Sequence, residues 1–256
     1  MKLKKILLTV LFFVAFAVMI ISFVKIVFWG IDNYKTNAEI KKIQEIVEID
    51  EVESDNKEED ETIVSSKFIN VDFTELKKTN NDVVGWIRVN GTSIDYPFVQ
   101  YTDNSYYLNH SFDKSVNDAG WVFLDYQNKV DMSDTNTIIY AHGRVDGTMF
   151  GSLKNALNKN YLNIEEKFIK ISTLTDNYIF EVFSVYHIPT TDDYLRKNFN
   201  SSEDYASFIN MIKQRSVHNF SVDVLNDDKI ITLSTCYNNR EKVVMHGKLV
   251  DSVKKD

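Results

Sequence analysis

The chain contains one cysteine, Cys236. It closes the run Ile230-Ile231-Thr232-Leu233-Ser234-Thr235, whose β-branched, apolar character reads as a strand. The polar turn Tyr237-Asn238-Asn239 follows it. A lone cysteine cannot form an internal disulfide. It is either a small buried hydrophobe or a nucleophile, and a strand end that opens on a turn is where a scaffold presents reactive groups. A thiol with an ordinary pKa of ~8.5 is only a few per cent thiolate at neutral pH, so a nucleophilic Cys236 needs an imidazole or a cation close by.

Among the five histidines, His142 has a positional argument. It ends the apolar run Thr137-Ile138-Ile139-Tyr140-Ala141 and precedes Gly143, so it stands at a strand terminus as Cys236 does. Nothing in the spacing shows that the two termini meet. His246 alternates with Val244 and Lys248 inside the last strand-like run, which predicts a surface or lining position. His110, His187 and His218 read as structural. Two cations follow the thiol, Arg240 and Lys242. With a tight hairpin over Tyr237 to Asn239, Cys236 and Arg240 flank one turn. The guanidinium fork then suits an oxyanion better than a lysine point charge; both can equally be solvated strand-edge charges. No CxxC, HExxH or EF-hand spacing occurs, so neither a metal nor a cofactor is expected.

The elements that must position these groups are mostly short strands. Val83 to Val89 alternates and runs into Asn90-Gly91, a hairpin signal. Ile94 to Val99, Gly120 to Leu124, Thr137 to Ala141, Phe168 to Thr173, Tyr178 to Ile188, Lys229 to Ser234 and Lys242 to Val250 follow. About eight strands with turns between them predict an antiparallel barrel or sandwich. Helical patterns cover Val71 to Asn80, Thr148 to Leu157, and Ser202 to Arg215. The last has Tyr205, Phe208, Ile209 and Ile212 on one face and Ser201 or Ser202 as N-cap.

Ahead of the strands lies Ile6 to Phe28, apolar enough to cross a bilayer. Lys2, Lys4 and Lys5 precede it, which keeps the N-terminus in the cytoplasm and exports the rest. The length of the run and Trp29 at its exit favour a retained anchor over a cleaved signal peptide. Residues 1–5 are thus expected inside the cell and 6–29 in the membrane. Residues 30–66, helical at first and then densely acidic, should form a linker, and 67–256 the folded domain. A formal net charge of -8 argues against nucleic acid as a partner, because phosphate binding needs a basic face.

Taken together, Thr232-Leu233-Ser234-Thr235-Cys236, Tyr140-Ala141-His142-Gly143 and a downstream arginine resemble the sortases, membrane-anchored cysteine transpeptidases of Gram-positive bacteria. Gly85-Trp86-Ile87, Ile94-Asp95-Tyr96-Pro97, Asn104-Ser105-Tyr106-Tyr107-Leu108 and the helix before the last strands are similar to class B. The resemblance covers about Phe68 to Val250. It implies a mainly β fold: an eight-stranded barrel with an N-terminal helix and a helix before the last two strands, preceded by one transmembrane helix. It also implies Cys236 as nucleophile, His142 as general acid/base and Arg240 as oxyanion partner. Tyr140, Thr190, Tyr194, Leu195 and Ser234 would line the substrate pocket. The expected substrates are surface proteins whose LPxTG- or NPxTx-like sorting signal is cut after Thr. The expected acceptor is an amine of the lipid II cross-bridge. One departure stands out. Most sortases have a longer loop between cysteine and arginine, and alignment of the final strand puts Lys242 where the arginine is expected. A hydrolytic cysteine peptidase and a non-enzymatic surface binding module are the alternatives.

Overall fold

The computed structural model describes residues 2–53, 67–236 and 241–255. In chain order the elements are α1 (Lys2–Ile46), β1 (Ile49–Val52), β2 (Phe68–Val71), α2 (Thr74–Thr79), β3 (Val83–Val89) and β4 (Asp95–Val99). Then come β5 (Phe123–Leu124), β6 (Asn136–His142), β7 (Phe168–Thr173), β8 (Asp176–Pro189), α3 (Ser202–Arg215), β9 (Ile230–Cys236) and β10 (Glu241–Lys254). Eight strands close into a barrel in the order β10-β8-β7-β3-β4-β5-β6-β9, while β1 and β2 form a separate two-stranded sheet.

Closure follows from the alternation in the strands. Ile87, Val89, Phe98, Ile139, Ile171, Val182, Leu233 and Met245 are buried in one apolar cluster, and closing the sheet leaves no edge to cover. The β3–β4 hairpin turns at Gly91, which takes φ +76°, a backbone region glycine enters without steric cost. The predicted strand from Gly120 shrinks to Phe123–Leu124. Trp121 is spent elsewhere: its amide bonds Tyr107 O at 2.9 Å and its indole Nε1 bonds Pro97 O at 2.8 Å. The predicted helix at Thr148 is a 3-10 segment, Gly151–Leu157.

The all-antiparallel expectation fails at two places. Strands β4 and β5 pair in parallel, and so do β6 and β9. The second of these pairs sets the geometry of the candidate site.

A second apolar layer lies outside the barrel. On α3, Tyr205, Phe208, Ile209 and Ile212 pack with Phe183, Tyr186, Tyr194, Ile230 and Val244. Ser201 caps the helix by accepting from Asp204 N at 3.2 Å. This layer explains the correction at His246. Its alternation places it away from the barrel interior, but α3 covers that face and the ring is fully buried.

The linker also differs from its expected extent. Helix α1 runs unbroken through residue 46. Beyond the apolar run it is docked on the barrel, with Thr36, Ile40 and Ile43 buried. Strand β1 pairs antiparallel with β2, from Ile49 opposite Val71 to Val52 opposite Phe68. The packed body therefore includes residues 36–52. The acidic part of the linker at 54–66 lies outside the described residues.

Candidate active site

Strands β6 and β9 run side by side in parallel, in register from Asn136 opposite Ile230 to His142 opposite Cys236. Parallel neighbours end at the same rim, and lateral neighbours in a sheet lie about 4.8 Å apart. The two strand termini picked out by sequence thus coincide. One step inside, Tyr140 is the partner of Ser234.

The half-buried His142 ring has its Nε2 2.7 Å from Leu108 O. A carbonyl only accepts, so Nε2 carries the proton and in the neutral ring Nδ1 is the basic nitrogen. Leu108 closes the short 3-10 turn Tyr106–Leu108. Asp103 fixes the start of that turn: its Oδ1 accepts from Ser105 N and Ser105 Oγ at 2.6 Å each and from Tyr106 N at 2.8 Å. Those bonds, led by the Ser105 hydroxyl, hold the Asp103 carboxyl below its ordinary pKa. Gly120 backs the same turn with φ +60°. A Cβ there would stand 2.6 Å from Tyr107 O and 3.0 Å from His142 Cδ2, so a side chain would push both.

Beneath the rim sits a buried carboxylate that sequence reasoning missed, Asp125. Its Oδ2 accepts from Tyr140 Oη at 3.1 Å and Asn104 Nδ2 at 2.9 Å. Its Oδ1 accepts from Lys197 Nζ and Gln127 N, both at 2.9 Å. Burial alone would raise its pKa, but the bonds from Gln127 N, Lys197 and Asn104 outweigh that and hold it below the usual carboxylate range. One acid thereby ties together β6, the loop leading to Leu108, and the loop before α3.

That last loop carries Thr190, Tyr194 and Leu195. Tyr194 is buried, and its Oη bonds the buried Ser234 Oγ at 2.9 Å. Leu195 is half-buried and Thr190 exposed. A second tie comes from the core. Asn136 Nδ2 donates to Arg196 O at 2.8 Å, which leaves its Oδ1 to accept from Thr232 Oγ1 at 2.7 Å. Thr232 Oγ1 lies 2.9 Å from His246 Nδ1, and Tyr186 Oη lies 3.0 Å from His246 Nε2. Since Arg196 O can only accept, Thr232 Oγ1 donates to Asn136 and accepts from His246 Nδ1–H; in the neutral ring Nε2 then accepts from Tyr186 Oη. Burial, helped by the charge of Arg215, pushes the His246 pKa down to about 3.

The cations are less fully defined. Lys242 lies in β10 opposite Ile188 of β8. The last rung between β9 and β10 is Ser234 opposite Val244. Arg240 and the turn Tyr237–Asn239 lie outside the described residues, and with them the expected flanking of one turn by Cys236 and Arg240. Among the described residues no group of histidines, cysteines or carboxylates could hold a metal ion.

This barrel, with a cysteine and a histidine ending adjacent parallel strands, matches a known family. Residues 87–250 match the family model of the sortase domain. Sortase B of Listeria monocytogenes is 40% identical over 183 residues, which is 70% of this chain and 74% of that protein. A Bacillus anthracis sortase B structure superposes with TM-score 0.70 at 33% identity, covering 87% of this chain and 99% of that one. A Staphylococcus aureus sortase B–substrate complex gives TM-score 0.65 at 35% identity, covering 70% and 84%. The chain belongs to the sortase family of cysteine transpeptidases, and its similarity is to class B.

Proposed function

We propose that the protein is a membrane-anchored transpeptidase that cuts a sorting signal after Thr and joins the fragment ending in that Thr to a cell-wall amine. The Cys236 thiolate adds to the Thr carbonyl carbon. The tetrahedral oxyanion is met by Arg240, with Lys242 as the alternative. As the C–N bond breaks, the His142 imidazolium gives its proton to the leaving amine and a thioester remains. The acceptor amine then attacks the thioester. His142 takes the amine's proton, and the thiolate leaves. Tyr140, Thr190, Tyr194, Leu195 and Ser234 hold the sorting motif, of LPxTG or NPxTx type. The acceptor is the amine of a lipid II cross-bridge.

The observation that carries this reading is the register of β6 with β9, which makes His142 and Cys236 lateral neighbours at one rim. The Nε2–H bond to Leu108 O supports it, because it leaves Nδ1 as the nitrogen that exchanges a proton. Anchoring rests on α1, the one helix among the described residues long and apolar enough to cross a membrane. With the three lysines ahead of the apolar run, the catalytic body lies outside the cell.

The test is a panel of sorting-motif peptides offered with candidate amines to wild type, Cys236→Ala and His142→Ala. Wild type should form an amide product, and both variants should fail. Cleavage without amide product in the presence of every amine would favour the hydrolytic peptidase. An equally active Cys236→Ala would end the mechanism.

A further inference from the structure

We propose that the loop 143–148, next to the candidate site, rests on the membrane surface at the foot of α1, so that the rim bearing His142 and Cys236 faces the lipid headgroups. This rests on the anchoring reading above and adds an orientation to it. The apolar run of α1 ends at Trp29, and Asn33 follows within about one helical turn. Asn33 Oδ1 accepts a hydrogen bond from Arg144 Nη2. Arg144 lies two residues past His142 and is itself braced by Thr148 Oγ1 at 2.9 Å and by Asp146 at 3.1 Å. One turn higher, Thr36 Oγ1 accepts from Asn117 Nδ2 at 3.0 Å. Above that, Glu39 Oε1 accepts from Asp113 N at 3.0 Å. With Ile40 and Ile43 buried, the helix is fastened to the body along its last three turns.

The dimensions then place the loop. Four residues of helix rise roughly 6 Å, and each headgroup layer is about 5–7 Å deep. The level of Arg144 is therefore the level of the headgroups. What the protein exposes there fits that surface. Outside α1, the most exposed large hydrophobic residues among those described are Val145 at 87% and Val116 at 78%. Both lie in segments that touch α1, beside Arg144 and Asn117. Single exposed apolar residues are ordinary, but these two gather at the end of the molecule nearest the apolar run. Exposed Tyr34 joins them on α1 itself. The loop's only charges, Arg144 and Asp146, cancel by pairing, so an anionic surface does not repel it. An acceptor carried on a lipid, or a substrate still held in the bilayer, then meets the cleft without a long tether.

The experiment uses the full chain in vesicles of neutral and anionic phospholipid. Cys236→Ala removes the native thiol, and Val145→Cys carries an environment-sensitive fluorophore. Lipids bearing a nitroxide near the headgroup act as quencher. A side chain seated at the headgroup–acyl boundary lies within reach of that nitroxide and should be strongly quenched. The control is Leu225→Cys in the same background. Leu225 is 62% exposed and precedes β9, at the barrel end away from His142; its emission should hold. Flotation after an alkaline wash is scored first. A chain that fails to float overturns the anchoring reading and this one with it. A chain that floats, but whose label at 145 is quenched no more than that at 225, overturns this inference alone.

Discussion

Asp125 and Lys197 form a 2.9 Å ion pair, with the carboxylate buried and the ammonium end largely covered. The pair joins the segment after β5 to the loop that carries Tyr194 and Leu195. Lys197→Met should therefore raise KM for a cleaved sorting peptide severalfold while leaving kcat within about twofold, because the loop loses a tie and the reacting groups do not. An unchanged KM would remove Lys197 from substrate positioning. Asp125→Ala is harsher: it removes the shared acceptor of Lys197 Nζ, Tyr140 Oη and Asn104 Nδ2. Loss of one member of a buried pair costs about 3–5 kcal/mol, which urea denaturation would register.

The oxyanion partner is decided by two variants compared side by side. Removal of one such donor typically lowers turnover by about 10²–10³. Arg240→Ala should show that loss and Lys242→Ala a much smaller one. Lys242 lies in β10, two residues before the Val244 that pairs with Ser234, and so is the alternative donor. The reversed result, a tenfold effect or less at Arg240 with a large one at Lys242, would reassign the role.

His246 gives the fold a pH dependence of known sign. Its folded pKa is pushed down to about 3, against about 6.5 in the unfolded chain. Between those values the unfolded state binds the extra proton. Its contribution is thus complete above pH about 6.5 and is lost as pH falls, by up to about 1.4 kcal/mol per unit. Denaturation midpoints from pH 7 to 4 should follow that slope. His246→Gln can keep hydrogen bonds to Tyr186 and Thr232 without titrating, so its slope should be shallower whatever its absolute stability. Parallel slopes for the two proteins would show that other groups dominate.

The docked part of α1 belongs to the stable unit. A chain beginning at Asp32 should unfold at higher urea than one beginning at Lys67, which lacks buried Ile40 and Ile43 and the β1 partner of β2. Ile43→Ala in the longer chain should cost about 2–5 kcal/mol, the range for truncating a buried isoleucine. Equal midpoints for the two chains would return these residues to the linker.

Legibility in the sequence tracks how local each signal is. The N-cap at Ser201 and the i, i+3, i+4, i+7 face of α3 are written within fourteen residues, and both stand in the structure. The strand ends at His142 and Cys236 were readable because apolar runs stop there. Their adjacency was not, since parallel pairing is a property of the closed sheet and leaves no mark on either run. Asp125 carries no mark in the sequence, because its three side-chain partners come from distant segments. His246 was misplaced for a related reason: alternation reports which face a residue occupies, not whether a helix later covers it. The run Asn104 to Leu108 shows its family likeness in sequence, but that its last carbonyl orients the imidazole is visible only in the fold.

The parallel union of β6 with β9 also bears on the order in which the molecule is built. Hairpins such as β3–β4 close over a few residues, whereas β9 reaches β6 only after β7, β8 and α3 have been laid down between them. Such distant pairings cost more chain entropy and form later. A half-folded chain thus carries Cys236 and His142 apart, and the two become neighbours by the same event that seals the barrel. Pulse-labelled amide exchange during refolding should accordingly protect the β3–β4 hairpin before the β6–β9 seam. The chemistry would then be switched on by completion of the fold itself.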